Sequence, residues 1–196
     1  MCRTTLEQYT EYYNGLKKIL ESKEESFVGN SGHGHNAVVM RLMLENSRAI
    51  SMYCGSLSVF SDSFFEQIAK SDSKTVADSL KENLKNALLA FLRNGGHLNI
   101  ILENYTKEWQ SNIIIGSSEW HEYIMNGQIN VRYIPDILSV KKNINHVAFN
   151  DSNTIERLEI DKKLHAAICR LNSTEGMEDQ TNLFETLTDC SEPISA

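Results

Sequence analysis

Residues 73–102, "SKTVADSLKENLKNALLAFLRNGGHLNIIL", constrain the fold more than any other stretch of this chain. Val76, Leu80, Leu84, Ala87, Leu88 and Phe91 recur at helical spacing and form one apolar stripe. Gly95 and Gly96 end that helix in the manner of a left-handed C-cap. The apolar run "HLNIIL" starts immediately afterwards and reads as a buried strand. A long amphipathic helix feeding directly into a buried strand points to a layered α/β domain.

The flanking sequence extends the pattern. Thr4 or Thr5 offers an N-cap for a helix through residue 22, with Leu6, Tyr9, Tyr13, Leu16, Ile19 and Leu20 near helical spacing. "KEESFVGNSGHGHN" is polar and holds three glycines, which predicts a Gly/His loop up to residue 36, before a helix from Ala37 to Asn46. "AISMYCGSL" predicts a strand ending at Gly55, and "SVFSDSFFEQIAK" a short helix capped by serine. In residues 105–126, "NIII" suits either a strand or a helix interior, whereas "SSEWHEYIMNG" reads as a helix. "QINVRYIP" follows as a strand through Ile129, Val131 and Tyr133. "NHVAFN", "TIERLEI" and "HAAICRL" are then three short strands joined by polar turns, the spacing of a meander. A last helix, about 175–188, carries Met177, Leu183, Phe184 and Leu187, and residues 190–196 read as a flexible tail. Strands and helices alternate over the first two-thirds, which favours a sheet covered on both faces, and 196 residues suit one domain spanning 1–196.

Composition narrows the function classes. The apolar runs "NIIIG" and "NALLAFL" fall far short of the ~20 residues that span a bilayer. No secretory leader is legible in "MCRTTLEQYTEYY", so the cytoplasm is the expected compartment. Cys2, Cys54, Cys169 and Cys190 are scattered without a CxxC pair, which disfavours a zinc site or a disulfide framework. The formal charge is −7, and lysines occur in isolated pairs without a basic face of the kind that grips nucleic acid. Nucleotide-loop, Rossmann, GxSxG and kinase motifs are absent.

In element order, the chain from 37 to 189 resembles one lobe of the phospholipase D superfamily. The likeness rests on the strand "AISMYCGSL", the helix–strand unit "FLRNGGHLNIIL", the strand "INVRYIP", and the pair "HVAFND" and "TIERLEI". It implies a single α/β domain with a central mixed sheet flanked by helices on both faces. The family's motif is H-x-K, four residues, then D. The histidine attacks phosphorus and the lysine stabilises phosphoryl charge. On this chain the histidine position falls on His146, the lysine position on Ala148 and the aspartate position on Asn153. Two of the three chemical groups are missing.

Nearby residues are candidates to take their place. Asp151, Asn153, Arg157, Glu159 and His165 lie on or beside the same strands. Arg157 and Glu159 share a strand face, where a guanidinium would fork onto phosphate oxygens, although such a pair also forms ordinary ion pairs. His33 and His35, in the Gly/His loop, are further candidates for a ligand contact, and a bare His-x-His without a spaced carboxylate does not predict a metal. No cofactor is expected. Lobes of this family that stand alone imply a homodimer with the His146 strands near the two-fold axis. The leading expectation is a catalytically degenerate binding or regulatory module in a bacterial stress or defence operon. It would recognise a phosphorylated ligand, a nucleic-acid end or a partner protein. The alternatives are a phosphodiesterase or nuclease using His146 with an atypical set of neighbours, and a structural subunit that docks a partner.

Overall fold

The computed structural model describes residues 4–104, 113–135, 144–161, 166–173 and 177–194. Residues 105–112, the lysines at 141–142 and 162–163, and His165 lie outside the described residues. The chain runs through α1 (Leu6–Ser22), β1 (Ser26–Ser31), α2 (Gly32–Glu45), β2 (Ala49–Cys54), a 3-10 turn (Ser58–Phe60), α3 (Asp62–Ser71), α4 (Lys74–Arg93) and β3 (His97–Leu102). It continues with α5 (Ser117–Met125), β4 (Ile129–Tyr133), β5 (Val147–Asn150), β6 (Ile155–Asp161), β7 (Ala166–Leu171), α6 (Met177–Asp189) and β8 (Glu192–Pro193).

The strands form one mixed sheet in the order β1-β7-β6-β5-β2-β3-β4-β8. β2, β3 and β4 run parallel, and β5, β6, β7 and β1 continue antiparallel from β2. The strand period sorts side chains between the faces. Ile50, Met52, Leu98, Ile100 and Ala148 join a core with α1 to α5. Tyr53, Ile101, Val147 and Phe149 turn to the other face, where α6 packs through Leu183, Phe184 and Leu187. The expected mixed sheet with helices on both faces is therefore present.

Local chemistry accounts for the helix boundaries. Thr5 and Gln8 form a reciprocal capping box at α1. Ser73 accepts a bond from the Val76 amide at the start of α4. Gly95 takes φ +80° after α4, and a β-carbon on Gly96 would lie 2.6 Å from the Phe91 ring, so the glycine pair supplies both the turn and the clearance. Leu84, Leu88 and Leu92 of α4 are almost wholly excluded from solvent. Each such burial stabilises the domain by roughly 1.5–3 kcal/mol relative to exposure.

Two expectations are corrected. The Gly/His stretch is not a loop: Ser26–Ser31 pairs along β7, with Gly29 opposite Ile168, and α2 begins at Gly32 rather than near Asn36. The φ of +78° at Gly32 lets strand pass into helix without a linker. Of the expected tail at 190–196, the described part, 190–194, is not free either, because Glu192 and Pro193 pair with Tyr133 and Arg132 at the sheet edge. The Arg132 side chain secures it, donating to Ser191 Oγ at 2.7 Å and to the Ser191 carbonyl at 2.6 Å.

Candidate functional site

The carboxyl ends of β2 and β3 open onto one edge of the sheet, the place where α/β sheets commonly hold ligands. β5 enters antiparallel at that edge and β6 leaves there. His146 precedes β5, Gly55 follows β2, Glu103 follows β3 and Glu159 lies near the end of β6. The backbone fixes this convergence, since Glu159 N–H donates to the His146 carbonyl at 2.8 Å and Glu103 N–H to the Cys54 carbonyl at 2.8 Å.

His146 lies between two carboxylates. Its Nδ1 is 2.6 Å from Glu159 Oε2 and its Nε2 is 2.7 Å from Glu103 Oε2. A carboxylate therefore occupies each ring nitrogen, and neither nitrogen is open to an incoming phosphorus atom in this arrangement. Gly55 packs against the ring, and a β-carbon there would be 3.2 Å from His146 Cε1. Tyr53 meets the ring edge-on with centroids 5.7 Å apart.

A cavity of about 250 Å³ opens beside this group between the sheet and α2, lined by His33, Asn36, Cys54, His146, Arg157 and Glu159 among others. Arg157 is the register partner of Ala148 across β5 and β6, so its guanidinium rises from the strand beside that alanine. Its Nε donates to Asn36 Oδ1 at 3.0 Å, and a terminal nitrogen lies 3.8 Å from Glu159 Oε1. Burial lowers the Arg157 pKa and the Glu159 carboxylate raises it. Burial pushes the Cys54 thiol up to about 12, which removes it as a thiolate nucleophile.

Of the residues singled out in the sequence, His146, Arg157, Glu159 and His33 converge on this cavity. Asp151, Asn153 and His35 do not, and His165 lies outside the described residues. Asp151 and Asn153 sit in the turn at the far end of β5, because the motif's span runs the whole length of that strand. Asp151 accepts a bond from the Arg48 amide at 3.1 Å, and Asn153 adopts φ +55°, a conformation its short side chain tolerates. His35 turns away from the cavity, bonding the Ser31 carbonyl at 2.8 Å through Nδ1 and packing edge-on against Tyr9 and Tyr12. His33 reaches the cavity because it occupies the first turn of α2, edge-on to Phe64.

Sequence reasoning missed Glu103, Asn36 and Gly55. A signal for Glu103 existed: it ends the apolar run "HLNIILEN", and polar residues just beyond the carboxyl end of a parallel strand are site candidates. Asn36 carried none, since its role depends on α2 crossing over β6. Among the described residues no cluster of histidine, cysteine, aspartate and glutamate has the geometry of a metal site. No helix among them is long and apolar enough to cross a membrane.

The fold is similar to that of two solved structures. Nuc from Salmonella typhimurium, a phospholipase D family member, matches 88% of this chain and 100% of its own at 14% identity, with a TM-score of 0.54. TrmBL2, an archaeal chromatin protein with a novel mode of DNA binding, matches 96% of this chain at 11% identity and a TM-score of 0.57. This chain spans 64% of the TrmBL2 chain. No protein-family model matches the sequence, and no curated protein matches it.

Proposed function

We propose that this chain is a phospholipase D-like lobe that has kept the shape of the phosphodiesterase site and lost its chemistry, and that it works by binding. The observation that carries this reading is the Glu103 carboxylate 2.7 Å from His146 Nε2. In a phosphodiesterase of this fold, the attacking nitrogen must face phosphorus with its lone pair free. Here it faces a carboxylate, and Ala148 offers no charge for the phosphoryl oxygens. A phosphorylated ligand would enter by displacing Glu103 from Nε2, with Arg157 beside it to fork onto the phosphate. The lobe acts as a homodimer, in keeping with the preference of single lobes for two-fold pairing.

A second reading has one specific observation behind it. Because Arg157 is the direct cross-strand partner of Ala148, a cation does line the cavity next to the missing lysine. An active phosphodiesterase or nuclease would then use His146 as nucleophile and Arg157 as charge stabiliser, after Glu103 swings aside.

One assay separates them. Purified protein is incubated without metal with bis-p-nitrophenyl phosphate and with labelled single- and double-stranded DNA and RNA, beside His146→Ala. The binding reading expects no turnover that the variant abolishes, with both proteins folded. Turnover present in the wild type and lost in His146→Ala would overturn it. In that event Arg157→Met should also be inactive and Arg157→Lys partly active, since lysine keeps the charge without the fork.

A further inference from the structure

A second cleft, of about 500 Å³, lies on the opposite face of the sheet, between α6 and the parallel strands. That volume is within the range of small-molecule sites. Its floor is unusual for the centre of an α/β sheet. Ser51 pairs in register with Asn99, and Asn99 with Asn130, giving a polar rung across β2, β3 and β4. Parallel strands at such positions normally read as apolar on both faces. The neighbouring rung, Val147, Tyr53 and Ile101, obeys that rule and lies under α6. Ser51, Asn99 and Asn130 make no side-chain hydrogen bond among the described residues, so their donors and acceptors face the cleft's contents. Strand spacing sets the backbones of Asn99 and Asn130 about 4.8 Å apart.

The walls add to this. Phe149 ends the polar rung on the β5 side and meets Phe184 edge-on, with centroids 5.8 Å apart. α6 directs two stripes at the sheet: Leu183 and Leu187 reach the core, while Glu185, Thr188 and Asp189 border the cleft. Arg132, the one described cation in the lining, already donates to Ser191 through two of its nitrogens. Glu185 and Asp189 against the single guanidinium leave the lining with a net negative charge, which disfavours phosphate or carboxylate ligands. Two carboxamides, two carboxylates and an aromatic wall match a ring that is apolar on one side and presents adjacent hydroxyls at its edge.

We propose that this cleft binds an uncharged ring carrying neighbouring hydroxyl groups, the chemistry shared by a free sugar and the ribose of a nucleoside. The site is separate from the His146 cavity and does not depend on the reading given for it.

Saturation-transfer NMR and calorimetry on the full chain, with glucose, adenosine and AMP as probes at about 5 mM, test the proposal, since even a millimolar ligand would then be largely bound. Saturable binding of glucose or of adenosine is expected, and which of the two binds identifies the source. AMP should bind at least about tenfold more weakly than adenosine because of the acidic rim. Asn99→Leu and the exposed Glu185→Gln should each weaken binding about tenfold, the scale of losing one hydrogen-bond partner in a site. His146→Ala should leave binding unchanged. If Asn99→Leu fails to fold, Glu185→Gln alone decides. Absence of saturable binding by both glucose and adenosine, binding undiminished in the folded variants, or AMP binding as tightly as adenosine would each overturn it; a merely hydrated sheet face predicts the first.

Discussion

Glu156 should destabilise this protein at neutral pH, and Glu156→Gln should make it more stable. The residue sits in β6, fully excluded from solvent, and neither carboxyl oxygen has a hydrogen-bond partner among the described residues. Among the described residues its charge partner is Arg170, with NH1 3.4 Å from Oε2. At an effective dielectric of about 20, that separation is worth roughly 5 kcal/mol of attraction, against a desolvation penalty of several kcal/mol for each buried ion. The terms nearly cancel, and burial prevails over Arg170: the Glu156 pKa is raised. A carboxyl whose folded pKa lies above its unfolded value binds its proton more tightly when folded. Its contribution is therefore neutral in acid, falls as pH rises from about 4.3 through the raised pKa, and stays unfavourable above it. Glutamine has the same shape without the charge, and Arg170 remains partly solvated, over the Phe27 ring. The expected gain is about 1 kcal/mol at pH 8, because the guanidinium left behind keeps part of its hydration whereas the carboxylate removed had none, and it shrinks toward zero near pH 4. Urea titrations of both proteins at the two pH values measure it. A variant less stable at pH 8 by more than about 1 kcal/mol would refute the reasoning, because Arg170 would then outweigh desolvation.

Three further outcomes follow from the same geometry. Gly55→Ala places a methyl 3.2 Å from His146 Cε1 and should displace the ring from Glu159, seen as altered His146 NMR shifts with a stability loss of about 1 kcal/mol. Leu84→Ala, at a wholly buried position on α4, should cost about 2–5 kcal/mol in urea unfolding. Asn172 has φ +56° and donates to the carbonyls of Ile19 and Glu24, tying β7 to the end of α1. Asn172→Ala should cost about 1–3 kcal/mol through strain and an unsatisfied carbonyl, and should leave the His146 site spectroscopically unchanged.

Much of the fold was legible because local signals agreed with global packing. The α4 stripe and the glycine pair mark the same helix, and the meander of β5, β6 and β7 shows in its turn spacing. The failures came where local and long-range terms differ. Residues 26–31 hold Phe27 and Val28 but no sustained alternation, sit among polar residues and precede two more glycines, and become β1 because the β7 edge offers a ladder. Residues 192–193 become β8 for the same reason at the β4 edge. At the site, Arg157 and Glu159 could be placed on one face by the strand period, but no local pattern could bring Glu103 across 43 positions to His146.

The sequence by itself determined that this is an α/β domain, which strands lie beside His146, and that positions 148 and 153 carry no charge, since side-chain identity and periodicity are local properties. Only the tertiary structure decided that both nitrogens of His146 face carboxylates, that Arg157 stands opposite Ala148, and that Ser51, Asn99 and Asn130 align into one rung. Those facts depend on strand order and register, and register is set by the packing of whole faces against helices rather than by any stretch of chain on its own.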